Sequence, residues 1–256
     1  MLNAKESTGA TPGGSAYILY SDIPYVENAH PKQALDLYLP VGTAPEGGWP
    51  LLLYVHGGGF IAGDKVERGL SMEYSMLSLD YGIGLASVDY RLIEDRAKIR
   101  EEIGMQIADV QSALRFCAAQ AEALGINKGK IAFMGPSAGG ALVCAVAARA
   151  KAEGDPPVAA VVSIASATDF TKAGEALHKD APPVYIIHGT EDSIVKFAQA
   201  EAFAAALEAA GVPYEFVPVY GGNHTRPMDD PNTMQILKDM GRWHEAYDWL
   251  AGILGL

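Results

Sequence analysis

The chain has 256 residues, 49% of them hydrophobic and 20% charged, the composition of a soluble globular protein large enough to bury one sizeable core. Its 19 basic and 31 acidic residues leave a formal charge of −12, which repels phosphate backbones and anionic lipid surfaces; neither a nucleic acid nor a membrane is expected as a partner. No apolar run approaches the ~20 residues that span a bilayer.

Residues 1–15 carry no apolar stretch and read as a flexible tail ahead of one catalytic domain over residues 16–256. As the sequence stands this places the chain in the cytoplasm, or outside the cell if a leader has been removed. Ala16 to Tyr25 and Gln33 to Pro40 read as two strands around a turn-rich segment, with Leu35, Leu37 and Leu39 alternating against Asp36 and Tyr38. After a Gly/Pro loop, Leu51 to Val55 is continuously apolar, as in a strand buried on both faces, and it runs into His56-Gly57-Gly58-Gly59-Phe60. Residues 66–80 suit a helix and Ile83 to Tyr90 a further buried strand.

Ile103, Ile107, Val110, Leu114 and Cys117 form one stripe of an amphipathic helix. Lys130 to Met134 is the next strand, leading into Gly135-Pro136-Ser137-Ala138-Gly139 and a helix over Ser137 to Ala152. Strands follow at Val158 to Ala165 and Val184 to His188, then a helix over Val195 to Ala210, a strand over Tyr214 to Tyr220, and a last helix carrying Ile236, Met240, Trp243, Tyr247 and Leu250. Strands alternating with helices imply an α/β fold: about eight strands, mostly parallel, with helices on both faces. Ligands of such sheets bind beyond the carboxyl ends of the strands.

A serine between two glycines, with a strand before it and a helix after it, is the pattern of a sharp turn that lifts a hydroxyl out of the backbone. That hydroxyl needs a base, and the base needs an acid. Of six histidines, His224 follows the last strand in Gly221-Gly222-Asn223-His224 and is the candidate base; His56 and His188 end strands beside glycine and read as structural, and His30 and His178 have nothing to recommend them. Asp192 is the candidate acid, with Glu191 and Asp169 as alternatives. An oxyanion needs backbone N–H donors, for which Gly58, Gly59 and Ala138 are placed. Phe60 reads either as a substrate contact or as a core aromatic. Cys117 and Cys144 fall in helical patterns and read as buried free thiols. His244-Glu245-Ala246-Tyr247-Asp248 imitates a zinc-protease helix, but no third ligand can be placed, and no metal or cofactor is expected.

Taken together, Asp36-Leu-Tyr-Leu-Pro40, His56-Gly-Gly-Gly-Phe60, Gly63-Asp64-Lys65, Tyr90-Arg91-Leu92, Asp109, Gly135-Pro-Ser-Ala-Gly-Gly140, His188-Gly-Thr-Glu-Asp192 and His224 resemble the α/β-hydrolase superfamily. The resemblance is to the esterase/lipase group related to hormone-sensitive lipase, and within it to small carboxylesterases and feruloyl or acetylxylan esterase-like members. It implies the triad Ser137, Asp192, His224 and a serine carboxylic-ester hydrolase working through an acyl-enzyme on short-chain, aromatic or carbohydrate-linked esters. An arylformamidase-like amide hydrolase and a silent binding module on the same fold are the alternatives. Two departures stand out: Pro136 replaces the polar residue usual before the serine, and Ile93 to Gln106 lacks the usual proline. Only Ser166 to Pro183 separates two consecutive strands, so no large cap domain is expected and the cleft should be open. Acyl preference and oligomeric state are not legible.

Overall fold

The computed structural model describes residues 4–66, 70–224 and 244–256. Among them nine strands form one sheet: β1 (Lys5–Ala10), β2 (Ala16–Pro24), β3 (Ala34–Pro40), β4 (Trp49–Val55), β5 (Gly84–Val88), β6 (Ile126–Pro136), β7 (Val161–Ile164), β8 (Val184–Gly189) and β9 (Tyr214–Val219). Their spatial order is β1-β2-β3-β5-β4-β6-β7-β8-β9. The pairs β1–β2, β2–β3 and β3–β5 are antiparallel, and every pair from β5 onward to β9 is parallel. Among the described residues seven α-helical segments accompany the sheet: α1 (Leu70–Asp80), α2 (Ile99–Ala119), α3 (Ala121–Leu124), α4 (Ser137–Arg149), α5 (Thr168–Thr171), α6 (Phe197–Ala210) and α7 (Glu245–Leu254).

The central strand shows why the sheet is covered on both sides. Leu51, Leu53 and Val55 of β4 join a core beneath α2, α4 and α6, while Leu52 and Tyr54 join a second core with Tyr74 of α1 and Tyr247 and Leu250 of α7. All five of these β4 residues are at most 2% exposed. Burying each such side chain stabilises the fold by about 1.5–3 kcal/mol, so a run apolar at every position is kept only where both faces are dry.

Three sequence expectations need correction. Residues 5–10, read as flexible tail, form β1 against β2 from Lys5↔Ser21 to Ala10↔Ala16. Their side chains are mostly exposed, so backbone hydrogen bonding to the sheet edge orders this segment, and it leaves no apolar signature. That extra strand raises the count from about eight to nine. The helix after Ser137 ends at Arg149, ahead of the predicted Ala152. Of the last helix, the end carrying Tyr247 and Leu250 is α7; Ile236, Met240 and Trp243 lie outside the described residues.

From β4 the chain crosses to β5 on one side and then returns to β6 on the other, so the strand order reverses between β4 and β6. The crevice at such a reversal is where open α/β sheets place their ligands. His56 to Phe60 follow β4 and Ser137 follows β6, so the two loops face each other across it. Between β7 and β8 there is only α5 and a one-turn 3-10 segment, Ala173–Ala176, so no cap covers this edge among the described residues.

Candidate active site

Ser137 sits in the left-handed region at φ +52°, a conformation costly for any residue with a β-carbon. Three glycines make the corner possible. A β-carbon on Gly139 would overlap the Val55 carbonyl oxygen, one on Gly140 would overlap the Ser166 hydroxyl, and one on Gly135 would run into the Gly139–Gly140 peptide. The Ser137 carbonyl accepts from the Ala167 amide at 3.2 Å, which fixes the turn from the β7 side.

Asp192 and His224 come from two loops beyond β8 and β9 that are zipped together. Glu191 N–H donates to Gly222 O at 2.9 Å, and Asn223 Oδ1 accepts from the amides of Ser193 (3.2 Å) and His224 (2.8 Å). His224 Nδ1 is 2.7 Å from Asp192 Oδ2, and its Nε2 is 3.0 Å from Ser137 Oγ. With Nδ1–H donating to the carboxylate, Nε2 is left to accept the serine proton.

The Asp192 carboxylate is 4% exposed and fully used. Its Oδ1 accepts from the Ile194 and Val195 amides, both at 2.8 Å, and its Oδ2 lies 3.2 Å from His188 Nε2 as well as facing His224. Burial alone pushes this acid up, but the donors from His188, His224 and the backbone outweigh it and hold the carboxyl well below the usual carboxylate range. Glu191 and Asp169, the two alternatives, are exposed side chains. His188 therefore braces the acid, and its Nε2 also lies 2.9 Å from Val195 O.

The glycine loop after β4 carries a run of positive φ: Gly58 at +111°, Gly59 at +62° and Phe60 at +70°. Its carbonyls are tied away from the crevice. Tyr90 Oη donates to His56 O at 3.0 Å, His56 Nδ1 is 2.7 Å from Gly57 O, and Phe60 O accepts from Gln106 Nε2 at 2.7 Å and from the Ile93 amide at 3.0 Å. Gly58, Gly59 and Ala138 all line one cavity of about 500 Å³ together with Ser137 and His224. Ala138 lies in the first turn of α4, where backbone N–H groups have no helical acceptor.

His56 is buried, stacks on Tyr90 with ring centroids 4.3 Å apart, and stays structural. Phe60 is 2% exposed within the core, 5.5 Å from the Phe170 ring, and is also among the residues lining the cavity. Cys117 and Cys144 are free and buried, and burial pushes each thiol up to about 12. Tyr81 Oη lies 3.2 Å from His244 Nδ1, and no cluster suited to a metal ion occurs among the described residues.

Arg96, Ile99, Ala167, Phe170, Ile194 and Val195 also line the cavity. Sequence reading misses them because they come from unrelated loops with no shared spacing. The charged stretch from Ile93, conspicuous for its missing proline, is the one signal that pointed to Arg96 and Ile99.

Set against known proteins, the sequence matches the BD-FAE family over residues 35–177, more than half of the chain. The chain belongs to the BD-FAE family. Beyond that match, residues 162–250 of this BD-FAE chain match the prolyl oligopeptidase family, over the stretch that holds Asp192 and His224. An AB hydrolase superfamily protein of Schizosaccharomyces pombe is 39% identical over 104 residues, covering 41% of this chain and 28% of that protein. Esterase LipI of Mycobacterium tuberculosis is 32% identical over 122 residues, covering 48% of this chain and 36% of its own length. The chain thus spans about a third of the length of these curated relatives. Among solved structures, a truncated carbohydrate esterase from gut microbiota superposes with a TM-score of 0.76 at 18% identity, covering 93% of this chain and 96% of the other. That likeness shows the α/β-hydrolase fold for this BD-FAE member.

Proposed function

We propose that this protein is a serine carboxylic-ester hydrolase acting through an acyl-enzyme on short-chain, aromatic or carbohydrate-linked esters. The observation that carries the reading is the continuous chain Ser137 Oγ–His224–Asp192, at 3.0 and 2.7 Å, opening onto a cavity that Gly58, Gly59 and Ala138 also line. Ser137 attacks the ester carbonyl while His224 takes its proton, then returns it to the leaving alcohol. Asp192 holds the imidazole tautomer and stabilises its cation. The Gly58, Gly59 and Ala138 amides receive the oxyanion, each such donor typically lowering the barrier by roughly 3–4 kcal/mol. Water resolves the acyl-enzyme by the same steps in reverse roles. The esterase relatives support this class of chemistry. The lining of Phe60, Phe170 and Ile99 suits an acyl or aromatic group.

The test is hydrolysis of p-nitrophenyl acetate and butyrate, with stoichiometric labelling by a serine-reactive phosphonate. Ser137→Ala should lower turnover by about 10⁶ and abolish labelling. A wild-type chain inert to a broad ester panel and unlabelled would sink the proposal and leave a binding module. The match to the prolyl oligopeptidase family favours one second reading, amide hydrolysis by the same residues. Ester and N-formyl substrates compared on one preparation separate the two.

A further inference from the structure

Beyond the reacting groups, the cavity has one further charged residue among its described lining. Apart from Ser137, His224 and Arg96, every described lining residue is glycine, alanine, proline, isoleucine, valine or phenylalanine. Arg96 opens the 3-10 turn Arg96–Lys98 that leads into α2, and it lines the same cavity as Ile194, Val195 and His224 from the loops after β8 and β9.

Two of the nearby carboxylates in the sequence have contacts of their own. The Asp95 carboxylate accepts from the Ala97 amide at 2.9 Å, capping the turn. Glu102 faces Lys98 at 3.9 Å. The next arginine, Arg100, lies over the Phe170 ring at 4.8 Å. Arg96 itself makes no ion pair or side-chain hydrogen bond with any described residue. Against a formal charge of −12 for the whole chain, Arg96 sets a guanidinium in the lining of a cavity whose other described residues, Ser137 and His224 apart, are apolar.

Resting on the ester-hydrolase reading, we propose that Arg96 is a specificity residue that selects esters carrying a carboxylate away from the scissile bond. The guanidinium offers a planar fork of donors that matches a carboxylate in two parallel hydrogen bonds, and the apolar lining holds the spacer between that group and the ester. Arg96 touches no reacting atom in this scheme. It acts on binding of the far end of the substrate, so its effect falls on KM.

The experiment compares matched pairs on wild type, Arg96→Gln and Arg96→Lys. One pair carries the charge on the acyl side, 4-nitrophenyl hydrogen glutarate against 4-nitrophenyl pentanoate. The other carries it on the alcohol side, 4-acetoxybenzoate against 4-acetoxybenzamide. In at least one pair the charged-to-neutral ratio of kcat/KM should fall tenfold or more in Arg96→Gln, chiefly through KM, and be partly restored in Arg96→Lys. Raising salt should shrink the wild-type ratio in that same pair. The pair that responds identifies the side of the ester that faces Arg96. Ratios unchanged within twofold in both pairs, with the neutral esters still cleaved, overturn the role of Arg96 alone. If wild type cleaves none of the four and Ser137 takes no phosphonate label, the ester-hydrolase reading falls with it.

Discussion

Ser137 holds φ at +52° because the Gly139 and Ala167 backbones fix the turn around it, and that strain is separable from its chemistry. Ser137→Gly and Ser137→Ala should be equally inactive, yet the glycine variant should be the more stable by about 1 kcal/mol, since glycine adopts this conformation freely. Paired urea midpoints measure the difference. Asp192 supplies a second separable effect. Its carboxyl lies below the ordinary range in the folded state, so the stability it contributes is present above the unfolded value near 3.9 and is lost as pH falls through the folded value. Between pH 7 and pH 3 the urea midpoint of wild type should therefore drop further than that of Asp192→Asn. Equal drops would show that the four donors around this carboxylate, from His188, His224, Ile194 and Val195, contribute nothing to its ionisation. The two thiols should resist disulfide reagents in the native state and titrate together on unfolding, because Cys117 and Cys144 are buried.

At the scale of elements, α2 does more than cover the sheet. Its Gln106, fully buried, donates to Phe60 O at 2.7 Å and to Arg91 O at 2.8 Å, locking a loop whose three residues 58–60 all have positive φ. Gln106 is thus a positioning residue for the Gly58 and Gly59 amides. Gln106→Leu should lower kcat about tenfold or more with KM little changed, and slow phosphonate trapping in parallel. A change in thermal midpoint with kcat intact would reduce Gln106 to a packing role. Gly139→Ala should fail more completely, because the new methyl would run into the Val55 and His56 carbonyls, backbone at the end of β4 that cannot yield as a flexible side chain would. The helices and parallel strands were legible because their burial writes a period into the sequence, as in Ile103 to Cys117. The grouping of Ser137, Asp192 and His224 was legible because each follows a strand end near glycine. What was not legible was written in the backbone or assembled by topology. β1 pairs through N–H and C=O groups that every residue shares, and the cavity wall joins Arg96, Phe170 and Ile194 from loops with no common pattern.

Across the whole molecule, the N-terminal hairpin and the catalytic edge are distinct regions of one sheet. β1 lies at one margin, attached to β2 and through Thr11 Oγ1 to Asp80 at 2.6 Å, while Ser137 follows β6 five positions away in the strand order. Removing residues 1–10 should lower the melting temperature by a few degrees and leave kcat within twofold, which a truncation assayed on p-nitrophenyl butyrate would establish. The parallel half of the sheet has the opposite character. The candidate oxyanion loop, nucleophile, acid and base follow β4, β6, β8 and β9, and not one of those junctions is a local hairpin. Each pairing closes a long loop before any contact rewards it, so this region is the slow part of folding. Under the proposed function, turnover is a clock for the last step of assembly. On refolding from denaturant, helical signal should return before ester hydrolysis does, because hydrolysis as proposed needs β8 and β9 docked beside β7 with Asp192 and His224 carried to Ser137.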